Sequence, residues 1–263
     1  MTRHSGAKLT ELCVAGLARP VALRRSRRAR RLSLRVNEAK LGAVLTLPVN
    51  ASLGEAGDFL ARHFDWLQKR LAELPHPIPF EEGAMIPLRG LGHELCLAPT
   101  EGPHGRVWTQ AVQQPAPGPN GATNHGAAIQ GSRPQIWLSG PRHKAVAILS
   151  NWLKRQARQD FSARVDWHAV GLEVRPKRIT IRDQTTRWGS CSANGTLSFS
   201  WRLVLAPPFV LDYVAAHEVA HLRELNHGAR FWRLVHSAAP RTDEARAWLK
   251  ENGARLHQYG AAL

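Results

Sequence analysis

His217, Glu218 and His221 stand in the pattern His-Glu-x-x-His. On a helix, residues four apart lie one above the other on the same face. Two imidazoles placed that way can share one tetrahedral metal ion, and zinc suits such donors. The glutamate follows the first histidine by one position, so it can lean over the metal and take a proton from a bound water. A third histidine, His227, comes ten residues after His217. On an unbroken helix it would lie roughly 9 Å beyond His221 along the axis and miss the ion. The helix is therefore expected to break between them. Asn226 and Gly228 are the residues there that tolerate the left-handed conformation of helix ends. With that break His227 becomes the third ligand and the fourth position is left for water. The rival third ligands are two downstream carboxylates, Glu244 and Glu251. The first-to-third histidine spacing equals that of His-Glu-x-x-His-x-x-Gly-x-x-His, but Glu224 stands where that motif has Gly, so the turn must differ.

The elements that must hold these residues can be read around them. Pro208 suits a first helical position. From Val210 to Leu222 the only polar residues are Asp212, His217, Glu218 and His221. A helix apolar nearly all round is a buried one, whereas a chance match to the motif usually sits on a solvated helix. Buried unpaired polar groups are costly, and a metal with its bound water accounts for the two histidines and the glutamate at once. Upstream, Arg142 to about Trp167 reads as a long amphipathic helix with Ala145, Ile148, Leu149, Trp152, Leu153, Ala157, Phe161 and Val165 on its apolar face. Lys144, Lys154, Arg155, Arg158 and Arg164 form a basic stripe on the other. Strands are expected over Lys177–Arg182 and Thr196–Val204. Two closing helices are expected at about Ala229–Ser237 and Asp243–His257, the second capped by Thr242.

The N-terminal half is richer in strand patterns. Residues 1–22 have no clear period and are expected to be partly disordered. Arg24–Arg31 is a basic run, read either as a weak nucleic-acid signal or as an edge strand protected by charge. Leu32–Val36 and Ala43–Leu47 alternate like paired strands across a turn near Lys40–Gly42. Ser52 with Glu55 forms a capping box for a helix to about Leu74, with His63, Phe64 and Trp66 expected in core packing. Short antiparallel strands are expected at Met85–Leu88, His93–Leu97, Arg106–Val112 and Gln135–Leu138. The stretch 113–133, rich in Pro, Gly, Ala, Asn and Gln, reads as a disordered hairpin insertion.

Several of these runs carry a family resemblance. Arg187-Trp188-Gly189-Ser190-Cys191-Ser192, Leu197–Leu203, Asp212-Tyr213-Val214, His217 to His221, and Asn226-His227-Gly228 with Phe231-Trp232 together resemble the YgjP-like metallopeptidases. That family is similar to the SprT-like and WLM zinc proteases. The match is specific over about 175–260; Arg30–Val36 and Phe64–Leu67 resemble the family as well. The resemblance implies a zincin-type fold, zinc on His217, His221 and His227, and Glu218 as catalytic base. It also implies that Trp188-Gly189-Ser190 lies at a sheet edge near the metal.

Composition bounds the remaining readings. The chain has 263 residues, with 36 Lys+Arg against 20 Asp+Glu and a net charge of +16. Such an excess favours contact with a polyanion, including nucleic acid through a basic surface; the competing reading is a drift toward Arg that only decorates the surface. Three scattered cysteines, Cys13, Cys96 and Cys191, argue against a disulfide framework and fit a reducing compartment. No apolar stretch is long enough to span a membrane, and the expected location is cytoplasmic. The expected architecture is α+β: a β-rich N-terminal part, residues 1–140, followed by a zincin-like catalytic part, residues 141–263, built on the His-Glu-x-x-His helix. The expected function is a zinc metallopeptidase acting on protein or peptide, with Glu218 as general base. Two alternatives stay open: a metal-dependent hydrolase of a nucleotide or other non-peptide substrate, and a nucleic-acid-associated protein with structural zinc. Arg187, His236 and Tyr259 are candidates for stabilising an oxyanion, each with a structural role as the competing reading.

Overall fold

In a computed structural model the described residues are 10–17, 19–37, 42–74, 76–98, 105–111 and 133–260. The expected turn near 40–42 apart from Gly42, the insertion at 113–133 apart from Arg133, and residues 1–9 and 18 of the expected partly disordered start fall outside them. Contacts divide the chain into one unit ending at Ile78 and another spanning Pro79–Gly260. The composition change at 140/141 therefore lies inside the larger unit. The whole is a mixed α+β protein.

The smaller unit is a four-stranded sheet with two helices. Its strands β1 (Thr10–Leu12), β2 (Val21–Ser26), β3 (Ser33–Asn37) and β4 (Gly42–Pro48) run in the order β1-β2-β4-β3, with β2 and β4 parallel. The expected β3–β4 pair is present and antiparallel. Within residues 1–22, β1 and the start of β2 are ordered and pair with each other, Thr10 opposite Leu23 and Leu12 opposite Val21. Of the Arg24–Arg31 run only Arg24–Ser26 belong to β2; they pair with β4 on one side, while the described part of β1 reaches only to Leu23 on the other. Arg24 donates to Thr46 Oγ1 at 3.2 Å, and Arg25 donates to the Val49 and Ala51 carbonyls at 2.8 and 2.6 Å. Ser52 and Glu55 form the capping box of α1 (Leu53–Arg62). The helix breaks at His63 and resumes as α2 (Phe64–Ala72). Leu60, Leu67 and Leu71 are buried, but His63 and Trp66 are exposed, which corrects their expected core role.

The larger unit carries the motif. Strands β5 (Met85–Leu88), β6 (Leu91–Leu97), β7 (Arg106–Gln110) and β8 (Gln135–Ser139) form a sheet of order β5-β6-β8-β7. They are not all antiparallel: β6 and β8 are parallel. Ile86, Leu95, Ile136 and Leu138 pack into one core with helix α3 (Ala145–Gly171), whose buried face includes Leu149, Leu153, Ala157, Phe161 and Val165. Strands β9 (Arg178–Arg182), β10 (Gly189–Cys191) and β11 (Thr196–Ser200) form a second sheet of order β10-β11-β9. The expected strand to Val204 stops at Ser200, where a 3-10 turn, Trp201–Leu205, leads to α4 (Pro208–Ala220). Helices α5 (Ala229–Ala238) and α6 (Thr242–Leu256) close the unit. Thr242 is the first residue of α6 and not its cap; its buried hydroxyl donates to the Ala239 carbonyl at 2.6 Å.

Two polar clusters fix this core. On α4, Asp212 accepts from Arg164 Nε and from the buried His168 Nε2, both at 2.6 Å, pinning α3 to α4. Burial opposes the charged form of Asp212, but these two donors outweigh it and hold its pKa below the usual carboxylate value. Arg202 is buried, pairs with Asp183 at 2.7 and 3.2 Å, and donates to the Leu256 and Tyr259 carbonyls at 3.0 and 2.8 Å. The same corner holds His257, which is 5 % exposed and lies against the Trp188 ring with centroids 5.2 Å apart. Burial, then the Arg202 charge, push the pKa of His257 down to about 4, with Asp183 pulling the other way.

This depressed pKa has a consequence for stability. Between pH 6.5, where the unfolded imidazole titrates, and about 4, the unfolded chain binds a proton that the folded chain refuses. Stability is therefore fully present above pH 6.5 and falls as pH drops through that window. Denaturant unfolding at pH 7 and pH 4.5 should show a smaller loss in His257→Phe than in the parent, by about 2 kcal/mol. Equal losses in the two proteins would show that His257 titrates normally in the fold.

Candidate metal centre

Helix α4 begins on Pro208, whose fixed φ and missing N–H suit the first turn. It is buried on most sides: Val210, Leu211, Tyr213, Val214, Ala215, Ala216, Val219 and Ala220 all lie in the core. His217 and Glu218 sit in its last turn and His221 is its C-terminal cap. The chain then leaves the helix through tight turns, with Leu222 N–H donating to Val219 O and Arg223 N–H to Ala220 O, both at 3.0 Å. The break is where the spacing requires it, but no left-handed residue makes it. Asn226 is not among the positive-φ residues, and Gly228 has φ −79° as the cap of α5. The three-residue turn reverses the chain without them.

The reversal brings His227 back to the motif. The donor nitrogens of His217, His221 and His227 all lie within 4.8 Å of one another. His227 Nε2 and His217 Nε2 are 3.1 Å apart. Phe231, fully buried on the first turn of α5, is the pedestal: its ring centroid is 4.9, 4.5 and 4.7 Å from those of His217, His221 and His227. Glu244 and Glu251 do not join this group. Glu244 pairs with Arg241, its Oε2 2.7 Å from Nε, and Glu251 is exposed on α6.

The donor set suits a zinc-like cation. Burial, then His221 and His227 as neighbours, push the His217 pKa down to about 3, and burial also lowers that of His221. Both imidazoles are thereby held in the neutral form that binds metal. His221 Nδ1 lies 3.0 Å from the Glu224 carbonyl, which fixes the tautomer and leaves Nε2 free for the cluster. The Nε2 atoms of His217 and His227 face each other at 3.1 Å, so one cation can share them with the third ring.

Glu218 is 5 % exposed and its Oε2 has no hydrogen-bond partner among the described residues. Burial raises its pKa to about 7, against the opposing pull of Arg187 and of the Cys191 N–H. Strand β10 lies directly on it. A Cβ added at Gly189 would come 2.5 Å from Glu218 Oε1 and 2.7 Å from Cγ, so only glycine allows this approach. The strand is seated by its antiparallel pairing with β11 and by the Ser200 N–H, which donates to the Trp188 carbonyl at 2.9 Å. The Trp188 ring fits between His257 and Gly253, where an added Cβ would meet it at 3.0 Å. The resemblance includes Phe231 and sets Trp188-Gly189-Ser190 near the metal, but the packing of Phe231 on the rings and the contacts of Gly189 and the Cys191 N–H with Glu218 were not read from the sequence. A Trp-Gly-Ser-Cys run signals a special backbone, but its contact with Glu218 arises only across the fold. Burial and then Glu218 raise the pKa of the Cys191 thiol, and Cys191 is not in the donor cluster that the three histidines form.

The remaining candidates are placed as follows. Arg187 acts on Glu218 through its charge. Tyr259 uses its carbonyl to accept from Arg202. His236 lies 6.3 Å from the Trp232 ring, which itself flanks His217 and His227 at 5.8 and 5.9 Å.

Comparison with known proteins gives three results. Crystal structures of two metallopeptidase zymogens are similar in part: abylysin of Pyrococcus abyssi, 22% identical over 34% of this chain and 93% of that one, TM-score 0.32, and jannalysin of Methanocaldococcus jannaschii, 21% identical over 35% and 89%, TM-score 0.32. No curated protein matches the chain. The model of the family described as YgjP-like, metallopeptidase domain, matches residues 30–252. That span takes in α4, the turn to His227, the strand on Glu218 and all of α5, and the chain belongs to the YgjP-like metallopeptidase family.

Proposed function

We propose that this chain is a zinc-dependent peptidase in which His217, His221 and His227 hold the metal and Glu218 is the general base. The observation that carries the reading is the convergence of three imidazoles beside a buried glutamate with one unpartnered oxygen. A bound zinc ion supplies a Lewis acid that lowers the pKa of water and polarises a carbonyl. The residues do the rest. Glu218 Oε2, free of other partners, accepts a proton from the attacking water and returns it to the leaving amine. Gly189 and the Cys191 N–H hold the carboxylate in one place, so that little reorientation is needed. Phe231 fixes the three rings. A structural zinc site is normally closed by four protein ligands; here three donors converge, and a glutamate waits beside them.

Metal analysis of the purified protein should find about one zinc per chain. His221→Ala should lose it, and full zinc retention in that variant would remove the basis for the assignment. Removal of zinc by a chelator should abolish hydrolysis of unfolded protein substrates, and re-addition should restore it. Nucleoside triphosphates belong in the same screen, because their turnover in place of peptides would assign this centre to phosphoanhydride chemistry.

Glu218→Gln should keep zinc and fold while turnover falls by about 10²–10⁴-fold. Turnover equal to the parent would make Glu218 a bystander.

Gly189→Ala separates position from presence. It should lower kcat by about 10²-fold with KM and zinc content little changed. Its cost in thermal stability should vanish in a Glu218→Ala background, where the clash has no partner. A cost that persists there would place the effect of Gly189 elsewhere than on Glu218.

A further inference from the structure

The outer face of the β5-β6-β8-β7 sheet is set by the pleat of its strands. On β8, Ile136 and Leu138 point into the core, so Gln135, Trp137 and Ser139 lie on the opposite face. Trp137 is directly opposite Trp108 of β7, and their rings stack with centroids 6.2 Å apart and planes 11° apart. Trp108 is 41 % exposed. Arg106 and Gln110, two residues to either side on the same face, are exposed as well. Arg133 crosses that face too, its Nη1 3.9 Å from Met85 Sδ.

Strand β7 is the edge of this sheet. Along it runs a cavity of about 380 Å³ lined by Gly105, Arg106, Val107, Trp108 and Arg155. Both charged residues in that lining are arginines. Among the described residues neither guanidinium has an ion-pair partner, unlike Arg89, Arg164 and Arg202. On α3 the exposed Lys154 and Arg158 flank Arg155 and carry the positive charge onward.

The stacked indole pair supports the β7–β8 pairing, and it still leaves Trp108 41 % exposed to water. Beside it stands a groove whose charge is of one sign, on a chain of net charge +16. Proteins that bind single strands combine these two features: aromatic rings on which unpaired bases stack, and a cationic groove for the phosphates. A duplex offers phosphates but no free base face, so it would use the arginines alone. We infer that this face binds single-stranded nucleic acid, with a base stacked on Trp108 and the backbone running past Arg106 and Arg155 along α3. The inference stands apart from the metal centre. It is a different surface from the Arg24–Arg31 run, where Arg24 and Arg25 donate to Thr46 and to the carbonyls after β4.

The test is fluorescence anisotropy with the full zinc-loaded chain and labelled RNA and DNA strands of about twelve nucleotides, alongside the matching duplex. Trp108→Ala should weaken single-strand binding by about 10-fold and leave duplex binding unchanged. Trp108→Phe, which keeps a ring, should retain affinity to within about 3-fold. Arg106→Gln with Arg155→Gln should reduce the log–log salt slope for single strands by about 1.4. The RNA and DNA arms show which strand is preferred, and either preference supports the site. Single-strand affinity that is unchanged in Trp108→Ala, or that falls equally for strand and duplex, would overturn it. Melting temperatures of the variants equal to that of the parent would tie these effects to the surface.

Discussion

Helix α4 is apolar on nearly every side and is enclosed by α3, α5, α6 and β10. Setting Glu218 into that helix is the constraint from which the rest of the larger unit follows. A carboxylate with 5 % exposure resists ionisation, and the rise of its pKa to about 7 corresponds to roughly 3 kcal/mol against the charged form. The surroundings offset part of this with the Arg187 charge and the Cys191 N–H. They leave Oε2 without a hydrogen-bond partner among the described residues, which fits the proposed role of this carboxylate. The same burial keeps His217 neutral, so a single physical condition acts on both the proposed base and the proposed ligand.

The second requirement is rigidity around these groups, and it is supplied by packing. Phe231 contacts all three imidazoles from a helix that begins immediately after His227. Gly189 brings backbone against Glu218, and the strand that carries it is held through Trp188 by His257 and by the gap at Gly253. Arg202 ties the same corner to the end of α6. The route from the core to the carboxylate is thus a chain of close contacts, with small residues wherever two surfaces meet.

The basic excess divides into two populations. Arg164 and Arg202 are structural, since each satisfies an aspartate across an element boundary. Arg25 closes the loop after β4 by donating to carbonyls. Arg155, Lys154 and Arg106 are exposed beside an aromatic face. Net charge reports the sum of both and cannot separate them. The separation comes from which acids the fold brings near each arginine.

The motif helix, its start at Pro208, the need for a break before His227 and the buried face of α3 follow from residue types and spacing, because helical periodicity and proline act locally. The capping box at Ser52 and the β3–β4 pair were legible for the same reason. Strands β1 and β2 were not, since strands this short carry too little period to read. Nor was the parallel pairing of β6 with β8, because alternation shows which face is buried but not which way a neighbour runs. Asn226 and Gly228 were credited with a turn that an ordinary right-handed backbone makes, since conformational permission is no evidence of use. The sequence named the histidines and the glutamate. Only the tertiary structure put a glycine backbone on that glutamate and a phenylalanine under those rings, because contacts between residues 189 and 218, or 221 and 231, depend on how whole elements pack and leave no mark in local spacing.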